Sequence, residues 1–584
     1  MKTIDLASRG ILPGSNITRA LYDLVEENPQ DTTFMFAPGD YYFTPEFAFD
    51  YRLSNTTVLP ERKLGIWLRN KRNLEFDFGM STLHFSGHMQ PFTLDHSENI
   101  TLKCAVVDWD KPLVAEGIVR AIGEDTVDLY VDPVAFPHRL AGDWLEFDTG
   151  NNEWYPMGRW SHIQFDHATR TVTRGTGDNF VPTSVEALGD FVYRFAMKQP
   201  EATKTMAVGN IFVLRHNERW HAGAFLEKCK NITLQDITFH SCGGLGCLAQ
   251  FSQDLTFKRV HFLPNRERGR LISNGRDDGM HITCCSGEIT IEECSFLGLM
   301  DDPINVHSCC VTAERVVDEK TILCRYMHPQ AMGFHYWAEP GDEMVLIDRR
   351  DMAPIGGGIV AAYALAEDPA LFTLTFREAF SAELLAALGT EGLVAVDNLT
   401  HTAAFTARNN RFGSCRARGI LVSTPKPVRI TDNYFASSGA AILVAGDSNY
   451  WFESGECHDV EIAGNVFTDP CLSSPYQFGE GMVSICPVVP KPNTQKPFHK
   501  NIRIHDNIFD TPDIPVLYAL SCGGLTFQSN RITKSPGAES WLPYKHLVRL
   551  DHCRDVEISD NTVIGPMNIS GMELLDCDNV RGGI

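Results

Sequence analysis

The segment SNGRDDGMHITCC (273–285) recurs in altered form as LMDDPINVHSCC (299–310). The pair Asp277-Asp278 returns after 24 residues as Asp301-Asp302, the histidine returns after 26 residues and the paired cysteines after 25. A repeat of this length is typical of one coil of a β-solenoid, whose successive strands lie roughly 4.8 Å apart. We therefore expect the two motifs to meet on one small patch with four carboxylates and two histidines.

Shorter repeats after residue 400 extend the same pattern. Each alternates apolar and polar positions and places an asparagine sixth. The copies are VRITDNYF (428–435), VEIAGNVF (460–467), IRIHDNIF (502–509), LTFQSNRI (525–532) and VEISDNTV (556–563). Alternation buries every second side chain inside the coil. We expect the asparagines to be architectural, occupying the left-handed turn between strands and bonding to the next coil. The pattern predicts an all-β protein built on a parallel β-helix.

The beginning of the chain predicts a cap for this solenoid. Residues 16–27 (NITRALYDLVEE) have apolar side chains at helical spacing, and PGDYYF (38–43) follows them as a turn and a strand. An end coil must be covered, and a helix can cover it. This arrangement resembles the N-terminal coil of right-handed β-helix enzymes of the pectin-lyase-like class, so we expect a right-handed solenoid.

Two segments interrupt the repeats. Residues 112–200 and 311–400 read as short alternating strands separated by Gly, Asp and Pro, which is typical of small antiparallel β-barrels. Both contain a similar motif, GDWLEFD (142–148) and GDEMVLID (341–348). The expected organisation is a cap with the first coils (1–111), an inserted barrel (112–200), central coils with the acidic patch (201–310), a second inserted barrel (311–400) and C-terminal coils (401–584).

Composition limits the partners and the compartment. The chain has 51 basic and 74 acidic residues, a formal net charge of −23, which disfavours nucleic acid and anionic membranes. No apolar run approaches the length of a membrane span, and no signal peptide is visible, so we expect a cytoplasmic protein. The 17 cysteines are odd in number and scattered through apolar segments, which indicates reduced, buried thiols.

The acidic patch has three interpretations. Paired carboxylates suit glycoside hydrolysis, because crowding raises one pKa to give a proton donor while the others stay ionised. Clustered carboxylates also suit calcium, and Asp-Gly and Asp-Asp-Pro are ordinary turn sequences. Nearby donors suited to sugar hydroxyls favour hydrolysis. They are Arg270, Asn274, Arg276, His281, Asn305 and His307.

These motifs together resemble family 110 glycoside hydrolases, the α-1,3-galactosidases that act on blood-group-B-type and linear Gal-α-1,3-Gal ends. The resemblance rests on PGDYYF, RDDGMH, DDPINVH, the two inserts and the later coils, and so covers most of the chain. That family looks related to polygalacturonases, which place one aspartate on one coil and an aspartate pair on the next. The resemblance implies an exo-acting, inverting enzyme that needs no metal or cofactor and acts on a galactose-terminated oligosaccharide.

Site roles follow from the same resemblance. It implies that Asp301 is the general acid and that Asp278 and Asp302 activate the water. Asp277 is then expected to be structural and to bond to its own turn. The aromatic face that galactosides usually require is expected from Trp337 in the second insert.

Alternative functions remain open from sequence. Arg266, Arg268, Arg270 and Arg276 lie near the patch and would suit a polygalacturonase-like hydrolase of uronic-acid chains. A non-catalytic, glycan-binding β-helix is the alternative from another class. The exposed face of a solenoid with inserts makes a homodimer our expected oligomer.

Overall fold

The computed structural model describes residues 1–584 except 58, 60, 161, 217, 330–333, 477 and 537–539. Within that part of the chain, two long sheets formed mostly by parallel strands run the length of the molecule. Each coil places one strand in a 14-stranded sheet and, after a bend, one or two strands in a 22-stranded sheet. The chain is therefore a parallel β-helix, as the repeats predicted.

The strands of the 14-stranded sheet carry the acidic motifs. They are Phe47–Phe49, Arg62–Arg69, Gln90–Asp95, Ala222–Glu227, Leu245–Gln250, Met280–Thr283, Ile304–Cys309, Ile420–Val422, Ile442–Val444, Glu453–Ser454, Val483–Ile485, Leu517–Leu520, Val548–Asp551 and Met572–Leu575. Two members run antiparallel to their neighbours, namely Phe47–Phe49 at the N-terminal edge and Glu453–Ser454 beside Ile304–Cys309.

The 22-stranded sheet forms the rest of the coil wall. Its strands are Lys2–Asp5, Gln30–Met35, Asp40–Tyr42, Arg72–Phe85, Glu98–Trp109, Lys230–Phe239, Gln253–Phe262, Ser286–Glu292, Ser295–Phe296, Ala403–Arg408, Arg411–Phe412, Val428–Thr431, Tyr434–Phe435, His458–Ala463, Val466–Phe467, His499–His505, Ile508–Thr511, Cys522–Gln528, Arg531–Lys534, Arg554–Ser559, Thr562–Ile564 and Asp578–Gly582. Inside the coils, phenylalanine rings stack with centroids 4.5–5.7 Å apart and planes within 3–12° of each other. Equivalent side chains of successive coils therefore stack directly on one another in this sheet.

The sixth-place asparagines form a continuous ladder. Asn433 donates its backbone N–H and its side-chain amide to Oδ1 of Asn465, at 2.9 and 3.0 Å, and Asn465 repeats both bonds to Asn507. The left-handed residue is the fifth one instead, as at Asp432 (φ 57°), because the asparagine must point inward to reach the next coil. The predicted bond between coils is thus present, and the predicted position of the left-handed turn was wrong by one residue.

The two inserted segments differ in whether their sheets close into a barrel. The first contains a six-stranded antiparallel sheet and a separate three-stranded sheet, whereas the second is a closed six-stranded barrel. The first sheet comprises Val114–Ile122, Thr126–Tyr130, Ile163–Phe165, Pro182–Gly189, Val192–Met197 and Ile211–Arg215, and the small sheet comprises His138–Ala141, Trp144–Gly150 and Glu153–Pro156. The barrel comprises Val311–Val316, Thr321–Arg325, Glu343–Asp348, Pro354–Leu365, Leu371–Phe376 and Val394–Asn398. Each insert has an apolar cluster of its own, apart from the main core.

Helices are few and short in the described residues. The α-helices are Thr18–Glu27 and Ala382–Leu388, and the 3-10 helices are Ala7–Arg9, Pro200–Thr205 and Arg266–Arg268. Thr18–Glu27 buries Leu21, Leu24 and Val25 against the first coil, which is the predicted cap. No helix among the described residues has the length and apolarity needed to cross a membrane.

Candidate active site

The four aspartates meet at one edge of the 14-stranded sheet. Asp277-Asp278 precede the strand Met280–Thr283, and Asp301-Asp302 precede its parallel neighbour Ile304–Cys309. Met280 pairs with Ile304, so the register offset is 24 residues and matches the spacing of the aspartates. The N–H of Gly279 donates to the carbonyl of Asp302 at 2.9 Å, which ties the two turns together.

The histidines are not register partners. His281 lies beside Asn305, and His307 lies beside Thr283. The two histidines nevertheless meet on one patch, as expected, although their spacing of 26 residues exceeds the register by two. Side chains two residues apart project from the same side of a strand, so the two rings approach edge to face and their Nε2 atoms lie 2.8 Å apart.

A chain of hydrogen bonds joins these rings to Asp278. His281 Nδ1 lies 2.7 Å from Oδ2 of Asp278, and His307 Nδ1 lies 2.9 Å from the backbone carbonyl of Ser308. Burial lowers the pKa of His281 to about 4 and also lowers the pKa of His307, so both rings are neutral near pH 7. A neutral imidazole carries one proton, and His281 Nε2 also lies 2.7 Å from the Asn55 amide nitrogen, so the two rings share four such contacts.

The proton position is clearest at His307. A carbonyl only accepts, so a neutral His307 carries its proton on Nδ1. His281 Nε2 contacts two groups, His307 Nε2 at 2.8 Å and the Asn55 amide nitrogen at 2.7 Å. Burial and the charge of Asp301 raise the pKa of Asp278 well above its usual range, which favours its protonated form.

Asp277 has the opposite surroundings. Its side chain is fully buried and accepts hydrogen bonds from Arg215, Arg219 at 3.0 Å and Arg276 at 2.8 Å. Although burial acts to raise it, these arginines hold the pKa of Asp277 below its usual range. Asp277 is thus a charged anchor for arginines that line the cavity, and it does not bond merely to its own turn.

Asp301 and Asp302 each face arginine. Asp301 accepts from Arg219 at 2.9 Å and from the Tyr476 hydroxyl at 3.1 Å, and burial is outweighed by Arg416 and Arg219, so its pKa is lowered. Asp302 accepts two bonds from the Arg418 guanidinium, at 2.8 and 2.6 Å. Burial raises the pKa of Asp302 to about 6, with Arg418 opposing the shift.

A cavity of about 1140 Å³ opens over this group. Its walls come from segments far apart in sequence. They include Asn55, Trp144, Trp160, Arg219, Arg276, Asp278, His281, Asp301, Asp302, Asn305, Arg416, Arg418, Trp451, Glu453 and Tyr476. Most of these wall residues have no repeat or motif around them, so a single sequence gave no signal that they belong to the site.

Glu453 is the main residue that the sequence did not reveal. It lies on the two-residue strand Glu453–Ser454, which pairs antiparallel with the end of Ile304–Cys309. One Glu453 oxygen lies 3.5 Å from the Asn305 amide, and the other lies 3.6 Å from His307 Nε2. Glu453 thus brings a fifth carboxylate to the edge of the acidic group.

Of the predicted sugar-binding residues, Arg276, His281 and Asn305 line the cavity. His307 does not, but it supports His281 from beneath. These four lie within the repeated motif or beside it, and their role in sugar binding stays a prediction.

The other three predictions fail for a common reason, which is that their polar groups are used inside the fold. Arg270 is buried and bonds to both oxygens of Asp108 at 2.7 and 2.6 Å. The Asn274 amide donates to the Leu297 carbonyl. Trp337 is 1% exposed and donates to the Cys309 carbonyl at 3.1 Å, inside the barrel core. Aromatic side chains at the cavity are instead supplied by Trp144, Trp160 and Trp451.

One group in the described residues has the composition of a metal site. It consists of His281, His307 and Glu453, whose ligand atoms lie within 4.8 Å of one another. Two nitrogen ligands at about 2.0–2.1 Å from a tetrahedral ion would be about 3.4 Å apart. The observed Nε2–Nε2 distance of 2.8 Å fits a hydrogen bond instead. The three side chains therefore do not fit a shared ion in this arrangement.

The chain is similar in sequence to known proteins. A profile described as GLAA-B beta-barrel domain I matches residues 115–212, within the first insert. The chain is 38% identical to Alpha-1,3-galactosidase B of Bacteroides thetaiotaomicron, over 97% of this chain and 91% of that protein. It is 31% identical to Alpha-1,3-galactosidase B of Akkermansia muciniphila, over 93% of this chain and 68% of that protein. Among solved structures, the Streptococcus pneumoniae surface protein and adhesin PfbA is similar in fold over 99% of this chain and 100% of that chain. The sequence identity is 9% and the TM-score is 0.39.

Proposed function

The chain belongs to the α-1,3-galactosidase family and is an α-galactosidase, and from this premise we propose that it is exo-acting, inverting and metal-independent. Its proposed substrates are terminal α-1,3-linked galactosides of the blood-group-B type or linear Gal-α-1,3-Gal. Family membership argues against the two alternative functions, a hydrolase of uronic-acid chains and a non-catalytic glycan-binding protein.

The observation that carries the mechanism is the unequal surroundings of three carboxyls in one cavity. Asp278 is buried beside a neutral histidine, whereas Asp301 and Asp302 are bonded to arginines. An inverting glycosidase needs one protonated carboxyl for the leaving oxygen and one ionised carboxylate to activate water. Asp278, Asp301 and Asp302 together supply both kinds of group.

These surroundings support a different donor from the one that family resemblance implies. The lowered pKa of Asp301 keeps it ionised, which suits a base better than an acid. Burial raises the pKa of Asp278, and its Oδ1 has no hydrogen-bond partner among the described residues. We therefore assign proton donation to Asp278 and water activation to Asp301 and Asp302.

The hydrogen-bonded histidines also support metal independence. The only three-residue metal-like group in the described residues contains His281 and His307, whose Nε2 atoms are at hydrogen-bond distance. Arginines balance the remaining carboxylates, so the site does not require a cation to neutralise them. The proposed reaction uses only protein side chains and water.

The deciding experiment follows the anomer of the released sugar. Wild-type protein is incubated with Gal-α-1,3-Gal and with the fucosylated B trisaccharide, and the product is monitored by proton NMR before mutarotation. We expect β-galactose first from at least one of them. Initial release of α-galactose would overturn inversion, and release from neither would overturn the proposed substrates. Polygalacturonate serves as a control that should give no product.

A further inference from the structure

We propose that Trp160 is the aglycone platform of this enzyme, stacking against the sugar to which the departing galactose is attached. The inference rests on the proposed function and extends it to a second sugar-binding position. Trp160 lines the cavity together with the acidic group, yet its side chain remains 69% exposed. A tryptophan that is open to water at the wall of a catalytic cavity presents apolar surface that the protein leaves mostly uncovered.

The segment that carries Trp160 is fixed in place. The Gly158 N–H donates to the Arg215 carbonyl at 2.7 Å, and the ring of His162 bonds back to the Gly158 carbonyl at 2.8 Å. Beneath it, Trp144 donates to the Met157 carbonyl at 2.6 Å. These bonds hold the backbone that precedes Trp160, so little backbone conformational entropy is lost there when a ligand stacks on its ring.

Trp144 itself is not the platform. It is 6% exposed, and the Arg159 guanidinium lies 4.1 Å from the centre of its ring. One face of Trp144 is therefore already occupied by a cation. Trp160 is the neighbouring indole that remains available.

The cavity has room for a second sugar. Its volume of about 1140 Å³ exceeds the range of about 300–1,000 Å³ that is usual for small-molecule sites. The innermost part is lined by ionised and hydrogen-bonding groups, which suit the hydroxyls of the terminal galactose. An exo-acting enzyme holds that terminal sugar at the closed end, so the next sugar lies toward the exposed rim where Trp160 stands.

Stacking of a sugar ring on an indole is the matching chemistry. The C–H face of a pyranose is apolar, and aromatic stacking contributes about 0.5–1.5 kcal/mol beyond area burial. The ligand class is therefore a neutral hexopyranose in the position after the scissile bond. A charged aglycone would gain nothing specific from Trp160.

The test compares two substrates that differ only in the leaving group. Gal-α-1,3-Gal carries an aglycone sugar, whereas α-galactosyl fluoride carries none. For Trp160→Ala we expect kcat/KM for the disaccharide to fall about 10-fold, the upper part of the stacking range, with kcat/KM for the fluoride unchanged within about twofold. Trp160→Phe should recover much of the loss. Phe191→Ala is the matched control, because Phe191 lies in the same insert, is 48% exposed and does not line the cavity.

The other possible results with the Trp160 variant contradict its proposed role as the aglycone platform. An equal fall on both substrates would place Trp160 against the departing galactose or in support of the centre. No fall on the disaccharide would leave Trp160 without a binding role. If wild-type protein hydrolysed neither substrate, the proposed function would fail first, and that outcome is distinct from either result with the variant.

Discussion

Asp278 and Asp301 lie in the same cavity, and neighbouring groups rather than sequence context give them different protonation. Asp278 is buried beside His281 and its pKa is raised, whereas Arg219 and Tyr476 donate to Asp301, whose pKa is lowered. Asp278 ends the pair Asp277-Asp278 and Asp301 begins the pair Asp301-Asp302, and neither position indicates a protonation state by itself. This difference can be tested with a substrate whose leaving group needs no proton.

We expect Asp278→Asn to lower kcat/KM for Gal-α-1,3-Gal by about 10²–10⁴-fold, the usual contribution of general acid catalysis. The same variant should keep most of its activity on α-galactosyl fluoride, because fluoride leaves without protonation. Initial rates on both substrates measure the two effects. Asp301→Asn is the comparison, and it should lose activity on both; the reverse pattern would return the donor role to Asp301.

The pH profile gives a second residue-level prediction. Burial raises the pKa of Asp302 to about 6, so kcat/KM for the disaccharide should fall as pH drops below about 6 and this base becomes protonated. It should fall again at high pH, where the raised pKa of Asp278 is passed and the acid loses its proton. With α-galactosyl fluoride only the low-pH fall should remain. A high-pH fall of equal size on both substrates would contradict Asp278 as donor.

The Asp302–Arg418 pair predicts a stability effect at one residue. Asp302→Asn leaves a buried guanidinium without its counter-charge, and breaking such a pair destabilises a protein by about 3–5 kcal/mol. We expect a clear drop in thermal midpoint. Glu201→Gln removes the exposed partner of Lys204 and should change stability by less than about 0.5 kcal/mol. Similar midpoints for both variants would show that Arg418 finds another partner.

At the scale of elements, the asparagine ladder links one coil to the next. Asn465 accepts two bonds from Asn433 and donates to Asn507 and Ile430. Asn465→Ala would leave several buried backbone and amide groups unpaired, each worth about 1–3 kcal/mol. Asn561 also accepts two bonds from Asn530, but it is only partly buried and donates to a single carbonyl, that of Phe527. We therefore expect Asn465→Ala to lower the midpoint of thermal unfolding more than Asn561→Ala. Equal losses would mean that the ladder adds nothing beyond each single bond.

Elements were the level at which sequence reasoning worked best. The alternation of apolar residues has a period of two, and this period fixes which side chains enter the coil, so the β-helix and the carboxylate spacing of 24 residues were readable. The histidine spacing of 26 residues exceeds the register of 24 by two. Because side-chain direction repeats every two residues, both histidines still lie on the same face of the sheet.

At the scale of the whole molecule, the site is assembled from coils and inserts that no local pattern connects. Arg219 and Tyr476 reach Asp301 through folding alone, and Glu453 reaches the neighbouring His307 in the same way, which is why the sequence missed them. Trp337 was predicted at the site because it follows the acidic coil closely in sequence. The barrel instead turns that segment into its own core.

The whole protein should also be indifferent to chelators. The His281–His307 contact is explained by a proton, and arginines neutralise the carboxylates, so we expect dialysis against EDTA to leave both kcat/KM and the thermal midpoint unchanged. The control is the same protein supplemented with calcium or zinc after dialysis. Loss of activity that is restored by one of these ions would contradict metal independence.

The order of the chain determines when the site is completed during synthesis. Four of its residues follow the second barrel, namely Arg416, Arg418, Glu453 and Tyr476. A ribosome makes the catalytic aspartates well before Arg416, Arg418 and the far cavity wall to which Tyr476 belongs. Solenoid coils can stack as they emerge, since each contacts only its neighbours. The nascent protein can thus have its first coils stacked and still be unable to cleave a glycosidic bond until the segment that contains Tyr476 has been made.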